Sequence, residues 1–153
     1  GNAEAREDMS LASLFSGLAL ANAKLGAVHG FAGPLGGMTD APHGVICGKL
    51  LPFVMQANVR ALQTQAPDSP ALARFGEVGR ILTARGTAHA SDAVSWIEGL
   101  CTVLGLPGLR RYGLSEDDFP TVVAKARNAS SMKGNPIELN EEELFGVLHQ
   151  AID

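Results

Sequence analysis

The sequence predicts a single all-α domain, a helical bundle of about six to seven helices. Three observations support this fold class: apolar residues recur at spacings of three and four, no segment alternates apolar and polar residues, and aromatic residues make up only 5% of the chain. The 153 residues are 46% apolar and 18% charged, which is enough to bury one core but too little chain for two full enzyme domains.

The first helix is predicted from Ala3 to about Val28, because apolar side chains between Met9 and Leu25 follow helical spacing. The second half of this segment is rich in small residues, and this predicts a helix buried at the centre of the bundle. The Gly- and Pro-rich segment Gly30–Pro42 follows, and its composition predicts a buried turn.

Five further helices are predicted downstream. One runs from His43 to about Leu62 and should be kinked or broken at Pro52. The other four, 71–83, 92–104, 116–128 and 141 onwards, are each preceded by a capping signal: Ser69-Pro70, Ser91, Ser115 and Asn140. The segment 129–140 is predicted to be a loop.

Charge and composition exclude several functional classes. The formal net charge is −4 and there is no basic run, so nucleic acid and anionic membranes are poor partners. No stretch matches the roughly 20 uncharged apolar residues of a membrane span, and the charged start does not resemble a signal peptide, so a cytoplasmic location is expected. Cys47 and Cys101 lie outside any CxxC motif and are expected to be small buried apolar residues.

Two histidines flank the Gly- and Pro-rich segment. His29 is expected where the first helix ends, and His43 begins the next helix 14 residues later. Two imidazoles at helix ends can converge on one ion, and neutral imidazole suits Fe(II), Zn(II), Cu or Ni. The spacing alone also allows a structural role, in which both histidines cap their helices or hydrogen bond backbone carbonyls.

The sequence around these histidines resembles the C-terminal part of the iron-containing, metal-dependent alcohol dehydrogenases. The matching motifs are GLALANA from Gly17, LGAVHG from Leu25, PLG from Pro34, APHG from Ala41, LLP from Leu50 and GNP from Gly134. The resemblance extends over nearly the whole chain, and residue identity and spacing agree together around the two histidines.

The resemblance implies a fold like the C-terminal domain of dehydroquinate synthase, with residues 1–153 forming an all-α metal-binding domain. It also implies an N-terminal domain, absent from this chain, that binds NAD or NADP. The family's ion, Fe(II) or alternatively Zn(II), is held by one Asp and three His. Two of these ligands match His29 and His43, and the other two are expected upstream of Gly1. The chain alone is therefore expected to be inactive, with an empty site or an adventitious ion.

The resemblance further implies that the parent enzyme oxidises a small alcohol to an aldehyde or ketone, or the reverse. The ion polarises the substrate oxygen while the nicotinamide exchanges hydride. Gly33 stands where many members have a further histidine, which implies a roomier site, and Phe31 and Ser131 are further candidates for the substrate pocket. The alternatives are a maleylacetate-reductase-type enzyme and a non-catalytic helical interaction domain. Self-association is expected through the interdomain face around His29–Gly44, because exposed apolar patches find partners.

Overall fold

The computed structural model describes all residues 1–153 and contains seven α-helices and no strand. This confirms the predicted all-α fold class. In chain order the helices are α1 (Ala3–Asn22), α2 (Ala27–Met38), α3 (His43–Gln65), α4 (Pro70–Thr83), α5 (Ala90–Val103), α6 (Phe119–Asn128) and α7 (Glu141–Ala151). Short 3₁₀ helices at Leu109–Tyr112, Glu116–Asp118 and Ser130–Gly134 complete the connections.

The main core lies where α2, α3, α6 and α7 meet. α3 contacts both α2 and α7, and α6 packs against α2 and α7. The largest side chains with no appreciable exposure come from all four helices and include Phe31, Leu50, Phe119 and Leu148. A smaller cluster joins α5 to α3, and α4 packs on the outer side of α5. Helix α3 is therefore the central element against which the others are arranged.

Side-chain capping explains several helix starts. The Ser69 side chain accepts a hydrogen bond from Ala71 N–H, with Pro70 at the first helical position of α4. Asn140 and Glu143 form a reciprocal capping box at α7, as predicted for that helix. The predicted cap of α5 at Ser91 is wrong, because the helix already begins at Ala90 and His89 takes the capping position.

The predicted continuous helix from Ala3 to Val28 is wrong, because the chain breaks between α1 and α2. The segment 23–26 is not helical, and a new helix begins at Ala27. The break has a distant cause: Ala27 N–H donates to Oδ1 of Asn135 at 3.1 Å, and Gly134 packs directly against the backbone of Leu25. This contact satisfies one of the free N–H groups that begin a helix.

Helix α1 is not buried, contrary to the sequence prediction. None of its 20 residues is buried, and its large apolar side chains are all more than half exposed. Six residues form this exposed set: Met9, Leu11, Leu14, Phe15, Leu18 and Leu20. Helices that are apolar on most sides are usually buried, so α1 leaves its apolar surface uncovered within this chain.

The predicted turn over Gly30–Pro42 is also wrong over most of its length, because residues up to Met38 are helical. Phe31 and Leu35 are fully buried one turn apart on α2, and their burial stabilises helix despite Pro34 inside it. Gly30 packs closely against Met132, and a Cβ there would displace the end of the Met132 side chain. The true connection is limited to Thr39–Pro42.

Helix α3 remains one helix through Pro52, without the predicted break. Its 23 residues make it long and apolar enough to cross a membrane by composition. Half of its apolar stretch is buried inside the protein, which is the behaviour of a core helix. α1 and α2 together also meet the composition criterion, but they are bent by 100° at their junction.

Candidate metal centre

The two histidines lie at the starts of two consecutive helices. His29 is in the first turn of α2, not at the end of the first helix as predicted, and His43 is the first residue of α3. Between His29 and Met38 the helix advances by about 14 Å, at about 1.5 Å per residue. The extended residues that follow reach about 3.3 Å each, so the connection to His43 can run back along α2. This return brings the imidazole centroids to 5.5 Å apart.

A third potential ligand completes the cluster. Cys47 Sγ lies 3.4 Å from Nε2 of His43 and 3.9 Å from Nε2 of His29. One ligand atom from each of the three residues falls within 4.8 Å of both others. His29 and Cys47 are half-buried and His43 is exposed, so the cluster opens to solvent on one side.

The surroundings of the imidazoles argue against a purely structural role. Neither His29 nor His43 makes a side-chain cap at its helix, and their hydrogen bonds are confined to the Cys47 sulfur. Burial raises the pKa of the Cys47 thiol, so this group is neutral without an ion. Imidazole nitrogen with thiolate sulfur is a donor set that suits Zn(II), and imidazole alone also suits Fe(II). The residues present therefore fit a divalent transition metal.

Cys47 was missed by the sequence analysis, which assigned it a plain apolar role. The signal that could have found it is its spacing, because residues four apart share one face of a helix. His43 and Cys47 have this spacing on α3, and the same face meets His29. Cys101, the other free cysteine, lies apart from the cluster and donates to the carbonyl of Gly48 at 3.4 Å.

A cleft of about 470 Å³ adjoins the cluster, and its lining is largely apolar. His29 and Cys47 form one wall, and the segment Lys24–Val28, Asn58 on α3 and Gly134–Pro136 contribute to the others. None of the three predicted substrate-pocket residues lines this cleft. Phe31 is fully buried in the main core, Gly33 is exposed one turn after His29, and Ser131 is half-buried in the 3₁₀ helix after α6.

Comparison with known proteins relates the whole chain to one group of enzymes. The family model described as "Fe-containing alcohol dehydrogenase family, C-terminal" matches residues 1–152. The chain is 38% identical over 98% of its length to a 1,3-propanediol dehydrogenase of Klebsiella pneumoniae. It is 32% identical over 99% of its length to the lactaldehyde reductase of Escherichia coli. It spans only 38% and 39% of the lengths of these two relatives.

The helical arrangement matches solved structures as well. A crystal structure of a 1,3-propanediol oxidoreductase superposes with a TM-score of 0.83 at 34% identity, over 99% of this chain and 39% of that one. The resemblance inferred from the histidine motifs is thus confirmed by sequence and by fold. The chain belongs to the iron-containing alcohol dehydrogenase family and corresponds to its C-terminal, all-α region.

Proposed function

We propose that this chain is the metal-binding region of an NAD(P)-dependent alcohol dehydrogenase, which interconverts an alcohol with an aldehyde or ketone. The observation that supports it best is the convergence of His29 and His43 at the starts of α2 and α3 in a member of this family. The relatives' names, a propanediol dehydrogenase and a lactaldehyde reductase, favour a small alcohol or aldehyde as substrate.

His29 and His43 would hold the ion, with Fe(II) as the first choice and Zn(II) as the alternative. When bound, the ion would act as a Lewis acid toward the substrate oxygen. The chain's own contribution is to orient the two imidazoles. Asn135 anchors the first turn of α2, in which His29 lies, and the short connection Thr39–Pro42 sets the position of His43.

The apolar cleft beside His29 is proposed to receive the carbon chain of the substrate. Its lining is largely apolar, with Leu51, Val54 and Met55 on α3 and Lys24 as its one lysine or arginine, and this suits a small alcohol or aldehyde. Gly33 remains a candidate for the outer edge of the site, because it lies one turn beyond His29 and a side chain there would meet open space. Ser131 is kept as a candidate contact, whereas burial gives Phe31 a packing role.

The dinucleotide, NAD or NADP, is proposed to bind to a domain outside residues 1–153, together with the remaining metal ligands. On this proposal the 153 residues have no dehydrogenase activity by themselves. The intact enzyme would work in the cytoplasm on a soluble substrate, without nucleic acid or membrane as a partner. The net charge of −4 is consistent with the proposed absence of nucleic acid and anionic membrane partners.

Self-association is proposed through the face around His29–Gly44, extended by the adjoining helix α1. The exposed apolar side chains of α1 have no partner within the chain, and large exposed apolar patches favour association with a second copy. Sedimentation velocity over a range of concentrations measures this directly. A species that stays monomeric at every concentration would exclude it.

The decisive experiment replaces each histidine in the intact enzyme. We expect His29→Ala and His43→Ala to lose bound iron and nearly all alcohol oxidation, whereas His149→Ala on the exposed face of α7 keeps both. Metal content by elemental analysis and NAD(P)H formation are the measurements. Retention of iron and activity in both variants would overturn the ligand assignment, and would favour a structural role for the histidines.

A further inference from the structure

The family resemblance accounts for His29 and His43, but not for the sulfur between them. Cys47 Sγ contacts both imidazoles, at 3.9 Å from Nε2 of His29 and 3.4 Å from Nε2 of His43. If Cys47 served only to fill space in the core, its sulfur would not need to face two potential metal ligands. The half-buried position of Cys47 leaves the sulfur reachable from the open side of the cluster.

The distances can be compared with those required by an ion. With metal–nitrogen bonds of about 2.0–2.1 Å and metal–sulfur bonds of about 2.3 Å, a tetrahedral site separates N and S by about 3.6 Å. The two observed separations, 3.4 and 3.9 Å, lie on either side of that value. The two nitrogen–sulfur separations therefore need little adjustment to suit one ion, and the ligand atoms of all three residues lie within 4.8 Å of one another.

All three donors lie on two adjacent helices. His43 and Cys47 occupy one face of α3, and His29 is held by the anchored first turn of α2. No upstream segment is needed to bring these atoms together. Three protein donors with an open side leave coordination positions free, and water, substrate or a ligand from outside residues 1–153 can take them.

From this geometry we infer that His29, His43 and Cys47 form a three-donor metal site within this chain, and that the Cys47 sulfur shifts the preference from Fe(II), the first choice for the two histidines alone, toward Zn(II). Thiolate is a soft ligand and shifts selectivity toward zinc. On binding, the Cys47 sulfur forms a bond to the ion and releases its proton to solvent. The inference deepens the proposed metal centre and rests on it only for the two histidines.

Cobalt(II) is the appropriate probe, because thiolate–cobalt coordination produces a near-ultraviolet charge-transfer band that imidazole coordination does not. We expect the 153-residue chain to bind Co(II) with this band, and Zn(II) to displace the cobalt. Cys47→Ser should abolish the band, and Cys101→Ser is the matched control that should retain it. Zn(II) affinity of Cys47→Ser should fall by more than about 100-fold, since even removing an outer partner of a ligand costs about 10–100-fold.

Three outcomes would overturn the inference. The first is cobalt binding without the sulfur band, and the second is a band that survives in Cys47→Ser. In either case the histidine assignment would still stand. The third is no cobalt binding by the wild-type chain, which excludes a self-sufficient three-donor site. The histidine variants of the intact enzyme test the proposed function separately. Circular dichroism of each cysteine variant verifies that a lost band does not come from unfolding.

Discussion

Asn58 and Asn135 exchange a reciprocal pair of side-chain hydrogen bonds across 77 residues of sequence. Asn135 Nδ2 donates to Asn58 Oδ1 at 2.6 Å, and Asn58 Nδ2 donates back to Asn135 Oδ1 at 3.2 Å. The same Asn135 oxygen accepts the N–H of Ala27. The pair therefore joins the centre of α3, the segment before α7 and the first turn of the helix on which His29 lies.

Replacing either asparagine should lower stability. Asn58 is the one buried polar side chain, so Asn135→Ala leaves its amide unpaired, and we expect a loss of about 1–3 kcal/mol in the free energy of unfolding. Because the two side chains share their bonds, the double variant should lose less than the sum. Urea denaturation measures the free energy of unfolding of the two single variants and of the double variant. Asn128→Ala, which removes only an exposed bond to Ala124 O, is the control. Additive losses would show that the pair does not act as a unit.

Gly134 should not tolerate any side chain. A Cβ at this position would overlap the carbonyl oxygen of Leu25, and backbone cannot move aside as a flexible side chain can. We expect Gly134→Ala to lower the melting temperature and to release the contact that ends α1. The matched substitution Gly37→Ala meets open space inside α2 and should be neutral or stabilising, because alanine favours helix by about 1 kcal/mol. Equal melting temperatures for the two variants would contradict this packing argument.

Ala84 ends α4 in the left-handed conformation, at φ 54° and ψ 25°. A residue with a Cβ in this region is strained by about 1–2 kcal/mol, and glycine would remove this strain. Glycine is also more flexible in the unfolded chain, which lowers the free energy of unfolding by about 0.5–1 kcal/mol. Ala84→Gly should therefore raise the free energy of unfolding by about 0.5–1 kcal/mol. The reverse change, Gly113→Ala at φ 94°, should lower it. Thermal denaturation at one pH compares both variants with wild type. If Ala84→Gly is less stable than wild type, Ala84 is not strained.

Asp118 should make stability depend on pH in the acid range. Its carboxylate accepts hydrogen bonds from the Ser115 hydroxyl at 2.7 Å and the Ser115 N–H at 2.9 Å, and these lower its pKa. A carboxyl whose pKa is lower in the folded state than in the unfolded chain stabilises the fold. This stabilisation is complete above the unfolded-state pKa of about 3.9, and it is lost as the pH falls through the folded-state pKa.

Asp118→Asn should consequently be less stable than wild type at neutral pH, with a difference that narrows below about pH 4. Guanidinium denaturation at several pH values provides the measurement. Asp117→Asn, in the same turn but without the Ser115 bonds, should not show this narrowing. A constant difference for Asp118→Asn across the acid range would argue against the linkage.

Local signals in the sequence predicted the fold class and several helix starts. Ser69 and Asn140 each precede a helix as predicted, because capping depends on neighbours only two or three residues away. The break before Ala27 could not be predicted in this way, because its partner Asn135 lies 108 residues downstream. The helical state of Gly30–Met38 was missed for a related reason: burial of Phe31 and Leu35 outweighs the turn-forming composition.

The candidate site was predicted in part. His29 and His43 were found through the family motif, although their spacing alone did not distinguish ligands from helix caps. Cys47 was overlooked because a cysteine outside CxxC was treated as apolar. Its role becomes visible only when α2 and α3 are placed side by side.

The three donor residues are unusually close together in the chain: His29 and Cys47 are only 18 positions apart. Contacts of such short sequence separation form early, because little chain entropy is lost in closing the loop between them. The donor cluster therefore loses little chain entropy when it closes, whereas the Asn135 contact that begins α2 closes a loop of 108 residues. A bound ion would tie α2 directly to α3, so metal loading should stabilise this helix pair against unfolding.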